Sequence, residues 1–386
     1  MRQIGAKKLK PFGVSVFTEF TALAMQHKAI NLSQGYPDFD GPEQLKHFAS
    51  EQILHGYNQY APSRGMPALR QAIAEHSNDF YQLDVDPDDE VTVFSGATEA
   101  LFSSLMALLD AGDEVILFDP SYDAYAPDVV MAGGIPRRLP LRFPDYALDA
   151  DMLRAAVNKK TRVIVVNSPM NPCGKVFSRP ELQLIAELCQ EHDLIAVSDE
   201  VYEHIVFDEA RHIPLMTLPG MRERTVRISS TAKTFSMTGW KIGFAVAAPK
   251  LSRAIRASHQ FVTFCSPPPL QEAMAQAFKL DASYYRDLRL DYQDKRDLMV
   301  RELRALGYQL EIPQGTYYIA ADIGSFGDDD DLAYCRALPP KIGVAMIPIS
   351  AFYQEPQKHR GVVRIAFCKN EATLREACAR LAQQQP

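Results

Sequence analysis

The sequence predicts an α/β protein organised around a mainly parallel β-sheet that helices cover on both faces. Between residues 90 and 248, short apolar runs alternate with segments of helical spacing. The runs lie at 91–94, 115–118, 163–166, 194–198, 225–228 and 242–247. Continuous apolar strands of this kind are typical of parallel sheets buried on both faces. The chain has 386 residues, 47% of them hydrophobic, which is enough for two or three folding units with a sizeable core.

The residues before this sheet are predicted to be mainly helical. Val14 to His27 carries apolar side chains at helical spacing, and two more helices are expected between Pro42 and Tyr81, flanking a turn at 58–62. Spacing alone favours a core position for Phe17. The same reasoning allows Tyr60 to be a half-buried turn residue.

The residues after the sheet are predicted to alternate between helices and strands. Proline can open a helix because its missing N–H is not needed there, so a helix should follow the triplet 267–269. The mixed charges of the segment 282–306 indicate a solvated helix. Helices are expected at 249–271, 282–306 and 371–382, and strands near 307–311, 316–321 and 362–367.

Composition excludes several classes of function. The net charge of −7 and the pI near 5.8 argue against nucleic acid or an anionic membrane as the main partner. No segment approaches the roughly 20 apolar residues of a membrane span, and no signal peptide is expected. The six cysteines form no Cys-x-x-Cys pair, which predicts reduced thiols in a cytoplasmic protein. The run Asp328–Asp331 lacks calcium-loop spacing, so no metal site is predicted.

The most informative stretch is Ser229–Gly243, which connects two apolar runs and contains Lys233. A lysine at such a connection is costly to bury in its charged form, so its pKa should fall. An amine with a lowered pKa can act as a nucleophile and form a Schiff base with a carbonyl group. A lone Ser-x-x-Lys is more often a solvated loop, and only the surrounding motifs favour the chemical interpretation.

Three upstream strands end in polar or small residues. Asp199 and Tyr202 follow the apolar run 194–198, and Asn171 follows the run 163–166. Ligands of open α/β sheets gather at the carboxyl ends of strands. After the run 91–94, the small residues Gly96-Ala97-Thr98 open a helix, and the N–H groups at such an opening favour a phosphate.

In this order, the motifs resemble those of the fold-type I aminotransferases that use pyridoxal phosphate. The motifs are Gly-Ala-Thr at 96–98, Asn-Pro-x-Gly at 171–174, Asp-x-x-Tyr at 199–202, Ser-x-x-Lys at 230–233 and Gly-x-Lys-x-Gly at 239–243, with Arg364 downstream. The stretches 31–39 and 233–241 are similar to the bacterial methionine aminotransferases and the kynurenine/glutamine aminotransferases. The resemblance covers residues 12 to 381.

The resemblance implies a fold, a domain layout and an oligomeric state. A large domain at 46–280 would contain the mainly parallel sheet, and a smaller α/β domain would combine residues 281–386 with the amino-terminal segment 1–45. The family forms homodimers with shared sites, in which Tyr60 of one subunit would reach the cofactor phosphate of the other. The substrates would be small molecules, namely an amino acid and a 2-oxo acid, with no nucleic acid or membrane partner.

The resemblance also implies roles for individual residues. Lys233 would hold the cofactor and transfer the α-proton of the substrate. Asp199 would pair with the pyridine nitrogen of the cofactor, and Tyr202 would hydrogen-bond the phenolic oxygen of the cofactor ring. The other implied cofactor-binding residues are Gly96, Ala97, Thr98, Tyr122, Asn171, Ser230, Lys241 and Tyr60. The implied substrate-binding residues are Arg364, Gly35, Asn171, Tyr36 and Phe17. Two residues depart from many relatives: Lys241 replaces an arginine, and Ala232 replaces a serine or glycine.

The residues expected around the side chain of the substrate favour methionine over dicarboxylic amino acids. Dicarboxylate-specific relatives carry a second arginine where this chain has Phe261, and a pocket lined by Phe17, Tyr36, Phe261 and Phe264 suits a thioether or aromatic group. Phenylalanine, tyrosine, glutamine and kynurenine are the next choices.

Three other functions are compatible with the same motifs. The first is a pyridoxal phosphate-dependent cysteine-S-conjugate β-lyase, which would need no 2-oxo acid for turnover. The second is the ligand-sensing part of a transcription regulator, but no basic amino-terminal module is present. The third is a scaffold without catalysis, which would not need Lys233, Asp199, Tyr202 and Arg364 together.

Overall fold

A computed structural model describes residues 5–56, 58–327 and 329–384; Asp328 of the acidic run lies outside the described residues. The strands are β1 (Ile30–Asn31), β2 (Val91–Ser95), β3 (Glu114–Asp119), β4 (Ile135–Pro140), β5 (Thr161–Asn167), β6 (Ile195–Asp199), β7 (Thr225–Ser230), β8 (Ile242–Ala247), β9 (Gln309–Leu310), β10 (Tyr318–Asp322), β11 (Val344–Ala345), β12 (Ile347–Pro348) and β13 (Val362–Ala366).

The helices begin and end within one to three residues of most sequence-based predictions. They are α1 (Val16–Gln26), α2 (Glu43–His55), α3 (Pro67–Tyr81), α4 (Gly96–Leu108), α5 (Tyr125–Met131), α6 (Ala150–Ala156), α7 (Arg179–Glu191), α8 (Thr231–Thr234), α9 (Pro249–Val262), α10 (Pro268–Ala277), α11 (Ala282–Ala305), α12 (Asp331–Ile342) and α13 (Glu371–Leu381).

A seven-stranded sheet in the order β2-β8-β7-β6-β5-β3-β4 confirms the predicted α/β fold. Every neighbouring pair is parallel except those that involve β8, which runs antiparallel to both β2 and β7. The edge strand β4 was not predicted. Its burial alternates, and Arg137 and Arg138 lie within it, so it lacks the continuous apolar run that marks the inner strands.

The direction of the strands brings the predicted motifs to one edge of the sheet. Asn167 and Asp199 are register partners at the carboxyl ends of β5 and β6, and Ser230 ends β7. Because β8 is antiparallel, its amino end lies at this same edge, and Lys241 directly precedes it. Carboxyl ends of parallel strands are the usual place for a ligand in such sheets.

A second, antiparallel sheet in the order β12-β13-β10-β9 forms from the C-terminal third of the chain. Arg364 lies in the middle of β13, opposite Ala320 on one side and Ile347 on the other. The short strand β1 pairs in parallel with β11, so Ile30 lies beside Val344. The proposed domain boundaries at residues 45 and 280 stay a prediction.

Two further predictions concern thiols and membranes. All six cysteines lie in the described residues and all are free. Within the described ranges, no helix combines the length and the apolar character that a membrane crossing requires.

Candidate active site

A cavity of about 240 Å³ lies at the carboxyl edge of the large sheet. It is lined by most of the residues that the motifs predicted: Phe17, Gly35, Gly96, Ala97, Thr98, Tyr122, Asn171, Asp199, Tyr202, Ser230, Lys233 and Lys241. The lining also includes five polar residues that the sequence did not single out, namely Gln34, Tyr125, Asn167, Thr238 and Tyr318.

Lys233 lies on the single helical turn α8, which follows β7 directly. The Ser230 hydroxyl starts this turn by accepting a hydrogen bond from the N–H of Ala232 at 3.0 Å. Burial lowers the pKa of Lys233 to about 8, although the Asp199 carboxylate works in the opposite direction. A larger fraction of this amine is therefore neutral near pH 7 than of an exposed lysine.

Asp199 is held at the bottom of the cavity by groups on two neighbouring elements. The Tyr125 hydroxyl donates to its Oδ2 at 2.6 Å, and the N–H of Val201 donates to its Oδ1 at 3.3 Å. Burial raises the pKa of Asp199 to about 6. A buried carboxylate of this kind gains from a cationic partner, because such a partner favours its ionised form.

Tyr125 is a functional candidate that the motif search missed. It is the first residue of α5 and lies three residues after Tyr122, so a Tyr-x-x-Tyr pair at helical spacing was the available signal. Tyr318 was also missed, and its hydroxyl is hydrogen-bonded to that of Tyr202 at 3.2 Å. No sequence pattern links Tyr202 to a residue that follows it by more than a hundred positions.

The start of α4 lies close to Lys241, an arrangement that suits an anion. Gly96 has a φ of +78°, and a Cβ built on it would lie 3.1 Å from Lys241 Nζ. A Cβ on Gly243 would lie 2.4 Å from the backbone N of Ala97. These glycines allow a lysine and the N–H groups of a helix start to approach one another. Both features attract a phosphate, so the residues present fit the phosphorylated cofactor that the motifs implied.

Arg364 is fully buried behind Asn171 and against aromatic rings. Its Nη1 donates to Asn171 Oδ1 at 2.9 Å, its Nη2 donates to the carbonyl of Ser33, and its Nε has no partner among the described residues. The guanidinium carbon lies 5.0 Å from the Phe17 ring centroid and 4.2 Å from that of Tyr318. An arginine held in this way has capacity left for a carboxylate.

Gly35 is required by its own neighbours. A Cβ at this position would lie 1.7 Å from the Tyr318 hydroxyl oxygen, and the Gly35 carbonyl accepts from the Tyr317 hydroxyl at 2.7 Å. The resemblance implied that Gly35 binds the substrate, and this role stays a prediction. The structure supplies a separate reason for the glycine, which is packing within the chain.

Three of the four aromatic residues expected around the substrate side chain lie outside the cavity of a single chain. Phe17 lines it, whereas Tyr36, Phe261 and Phe264 do not. Phe261 is 89% exposed because the last turn of α9 lies on the surface. Phe264 packs edge-on against Tyr60, with ring centroids 5.7 Å apart, and Tyr60 is itself 80% exposed. The contacts of Tyr36 and Tyr60 with a ligand therefore stay predictions.

Comparisons with known proteins agree with this geometry. The family model described as aminotransferase class I and II matches residues 27–381. The chain is 40% identical over 380 residues to the methionine aminotransferase of Escherichia coli, covering 98% of each chain. It is 37% identical to human kynurenine–oxoglutarate transaminase 3, covering 96% of this chain and 88% of that protein. The solved N-succinyldiaminopimelate aminotransferase of Mycobacterium tuberculosis is 43% identical, with a TM-score of 0.96 over 99% of this chain and 100% of the other.

Proposed function

The chain belongs to the class I and II aminotransferase family, and we propose that it moves the amino group of an L-amino acid, preferably methionine, to a 2-oxo acid. Members of this family are pyridoxal phosphate-dependent transaminases. The observation that carries the proposal is the pairing of Lys233, whose pKa is about 8, with the buried Asp199 in one cavity. The lowered pKa makes the Lys233 amine easier to deprotonate, which formation of a Schiff base with the cofactor requires, and the Asp199 carboxylate would pair with the ring nitrogen of the same cofactor.

Pyridoxal phosphate, when bound, supplies an electron sink that stabilises the charge left on an amino acid when its α-proton is removed. The residues around the cavity fit this group. Gly96, Ala97 and Thr98 at the start of α4, with Ser230 and Lys241, would hold the phosphate, and Asp199 would face the ring nitrogen. Tyr122 would lie against the ring, and Asn171 and Tyr202 would reach the ring oxygen.

The protein itself would bind the substrate and move the proton. Arg364 would hold the substrate α-carboxylate with its guanidinium group, whose Nε has no partner among the described residues, so that the α-carbon faces Lys233. The Lys233 amine would then accept the proton from the α-carbon of the amino acid in the first half of the reaction, and it would donate a proton to the α-carbon derived from the 2-oxo acid in the second half. An amine with a pKa near the working pH suits both directions of transfer.

The charges around the cavity support methionine as the donor. Among the described residues that line it, the cationic side chains are Lys233 and Lys241, and both are assigned to the cofactor. Phe17, Tyr122 and Tyr318 add aromatic surface, which a flexible thioether contacts favourably. The name of the Escherichia coli relative, methionine aminotransferase, supports the same choice.

We expect kcat/KM for methionine to exceed that for aspartate by more than about tenfold, since a loss of ~1.4 kcal/mol in transition-state binding gives that factor. A distal carboxylate without a cationic partner should cost more than this. The assay would pair each donor with a panel of 2-oxo acids and detect the new amino acid. Kynurenine and N-succinyldiaminopimelate belong in the same panel, because the names of other relatives include them.

Two outcomes of that assay would contradict the substrate assignment. Equal activity on methionine and aspartate would show that a surface arginine such as Arg64 or Arg256 reaches the pocket. Faster turnover of N-succinyldiaminopimelate would assign the donor to that class instead. Product formed without any 2-oxo acid would favour the β-lyase alternative.

We propose further that the active form is a homodimer with shared sites. Large apolar side chains are exposed near the end of α2, in the turn after it and at the end of α9: Ile53, Leu54, Tyr60, Phe261 and Val262. A concentration of exposed apolar side chains is typical of a protein–protein interface. A second copy of the chain would cover them and would bring Tyr60 to the partner's phosphate site.

A mixture of Lys233→Ala and Tyr60→Phe proteins should recover activity that neither variant has alone. A mixed dimer with shared sites contains one site with both defects and one site with neither. Subunit exchange would be followed by native mass spectrometry of differently tagged chains. If exchange occurs but no site with native kinetics appears, Tyr60 does not act across the interface.

A further inference from the structure

The turn that follows β6 contains two carboxylates that the proposed mechanism does not use. Asp199 and Tyr202 line the cavity, whereas Glu200 and Glu203, the residues directly after them, do not. Glu200 is 0% exposed and Glu203 is 4% exposed. Burying a charged carboxylate is unfavourable unless it is paired and hydrogen-bonded, so the partners of these two side chains matter.

Both carboxylates are bound by one arginine on the neighbouring strand. Arg227 lies in β7, is fully buried and is the register partner of Ser198 at the end of β6. Its Nε donates to Glu200 Oε2 at 2.7 Å, and its Nη2 donates to Glu203 Oε2. The planar guanidinium therefore joins the residue after Asp199 to the residue after Tyr202.

The remaining oxygens of the two carboxylates are also occupied. Ser198 Oγ donates to Glu200 Oε1 at 2.7 Å, Ser229 Oγ donates to Glu203 Oε1, and the Tyr81 hydroxyl donates to Glu203 Oε2 at 2.5 Å. Burial alone would raise the pKa of Glu203, but the charge of Arg227 opposes it and the pKa lies well below its usual value. Glu203 is therefore ionised, and its charge is compensated by Arg227.

We propose that Arg227 is a positioning residue for amino transfer, which fixes Asp199 and Tyr202 relative to the strand that leads to Lys233. The proposal rests on the roles of these three residues in the proposed function. Strand β7 runs from Arg227 through Ser230 to the turn that carries Lys233. The two arms of the guanidinium thus tie the chain after β6 to the element that holds the amine, at the residue after Asp199 and at the residue after Tyr202.

Glu203 also belongs to a group of three side chains that could hold a metal ion, but the hydrogen bonds of Glu203 favour its pairing with Arg227. Ligand atoms of His76, Glu203 and His204 lie within 4.8 Å of one another. Both oxygens of Glu203 already accept hydrogen bonds, one of them from Arg227, and the Nε2 atoms of the two histidines are 2.8 Å apart. A metal ion would have to displace Arg227 and would be repelled by its charge.

The test is a set of variants of the holoenzyme with a readout that stability alone does not change. Arg227→Lys keeps the positive charge but loses the fork that reaches both carboxylates. We expect kcat with methionine to fall by at least about tenfold while KM changes less than about threefold, because Arg364 still holds the substrate. The pH midpoint of the visible absorbance of bound pyridoxal phosphate should shift as well, since Asp199 and Tyr202 face that group.

A second variant keeps the test decisive if Arg227→Lys does not fold. Glu203→Gln retains the ion pair between Arg227 and Glu200 but weakens the contact that holds the Tyr202 side of the turn. The pH midpoint of the visible absorbance should therefore shift in the same direction as in Arg227→Lys. Arg296→Gln is the matched control. Arg296 is likewise buried and binds two carboxylates, Asp208 and Asp297, neither of which is adjacent to a residue that lines the cavity.

The possible outcomes separate the proposal from the function on which it rests. An unchanged absorbance midpoint and kcat in folded Arg227→Lys and Glu203→Gln enzymes would overturn the positioning role. Equal losses in Arg296→Gln would also overturn it, because the effect would then be one of general stability. If the unaltered protein shows neither visible absorbance with pyridoxal phosphate nor amino transfer, the proposed function itself has failed.

Discussion

Replacing Lys233 by alanine is expected to lower kcat/KM for amino transfer by about 10⁴-fold or more. General acid–base catalysis by a positioned side chain alone contributes about 10²–10⁴-fold, and this amine is also expected to hold the cofactor covalently. Its location between β7 and β8, with a pKa near 8, makes it the suitable amine in the cavity. Initial rates with methionine and a 2-oxo acid would measure the loss.

Covalent attachment can be tested without reference to activity. Borohydride reduction of the holoenzyme, followed by peptide mapping, should place the label on Lys233. Lys241→Gln is the matched control, because Lys241 lines the same cavity and its loss should weaken phosphate binding but leave the label in place. A label on Lys241 or on Lys175 would show that the catalytic amine has been misassigned.

Replacing Arg364 by methionine should lower kcat/KM for amino acids by about 10²–10⁴-fold. Hydrogen bonds to charged groups are each worth about 1.5–3 kcal/mol, and a forked contact with a carboxylate supplies two of them. The side chain is fully buried and also binds the Ser33 carbonyl, so the melting temperature has to be measured alongside the kinetics.

A substrate that lacks the carboxylate is the control for Arg364. The amine that corresponds to decarboxylated methionine should react slowly with both the native enzyme and Arg364→Met, and at similar rates. This amine has no carboxylate, so Arg364 cannot contribute to its binding in either enzyme. Arg364→Lys should recover only part of the loss, because lysine has no planar fork. If Arg364→Met lowers the rate equally for the amine and for methionine, Arg364 supports the fold and does not bind the substrate carboxylate.

Some of the residues predicted to line the site were found from local patterns, and the others were implied by the resemblance to a family. Lys233, Asp199 and Asn171 each follow a continuous apolar run, and the carboxyl ends of parallel strands meet at one edge of a sheet. Motifs far apart in the chain could therefore be placed together before any contact was known. Lys241 required the resemblance as well, because only the antiparallel direction of β8 brings its amino end to that edge.

Several features of the site depended on contacts that no local pattern contains. Tyr318 meets both Gly35 and Tyr202, although it lies far from each of them in the sequence. Phe261 was expected in the pocket from its position in the resemblance, but the last turn of α9 places it on the surface of the single chain. Tertiary packing decides where a side chain points and how exposed it is, and a sequence motif does not determine that packing.

The resemblance of its motifs to a known family suggested the amine, the carboxylate and the arginine of the candidate site. The sequence by itself determined the fold class and the succession along the chain of the strands that carry these motifs. Hydrophobic period and turn residues are local properties of a chain, which is why these features could be read from it. Only the tertiary structure decided what holds those groups. Three features depend on burial: the fork of Arg227 between Glu200 and Glu203, the hydrogen bond from Tyr125 to Asp199, and the Nε of Arg364, which has no partner among the described residues. Burial makes each charged group require a partner, and distant parts of the chain supply those partners.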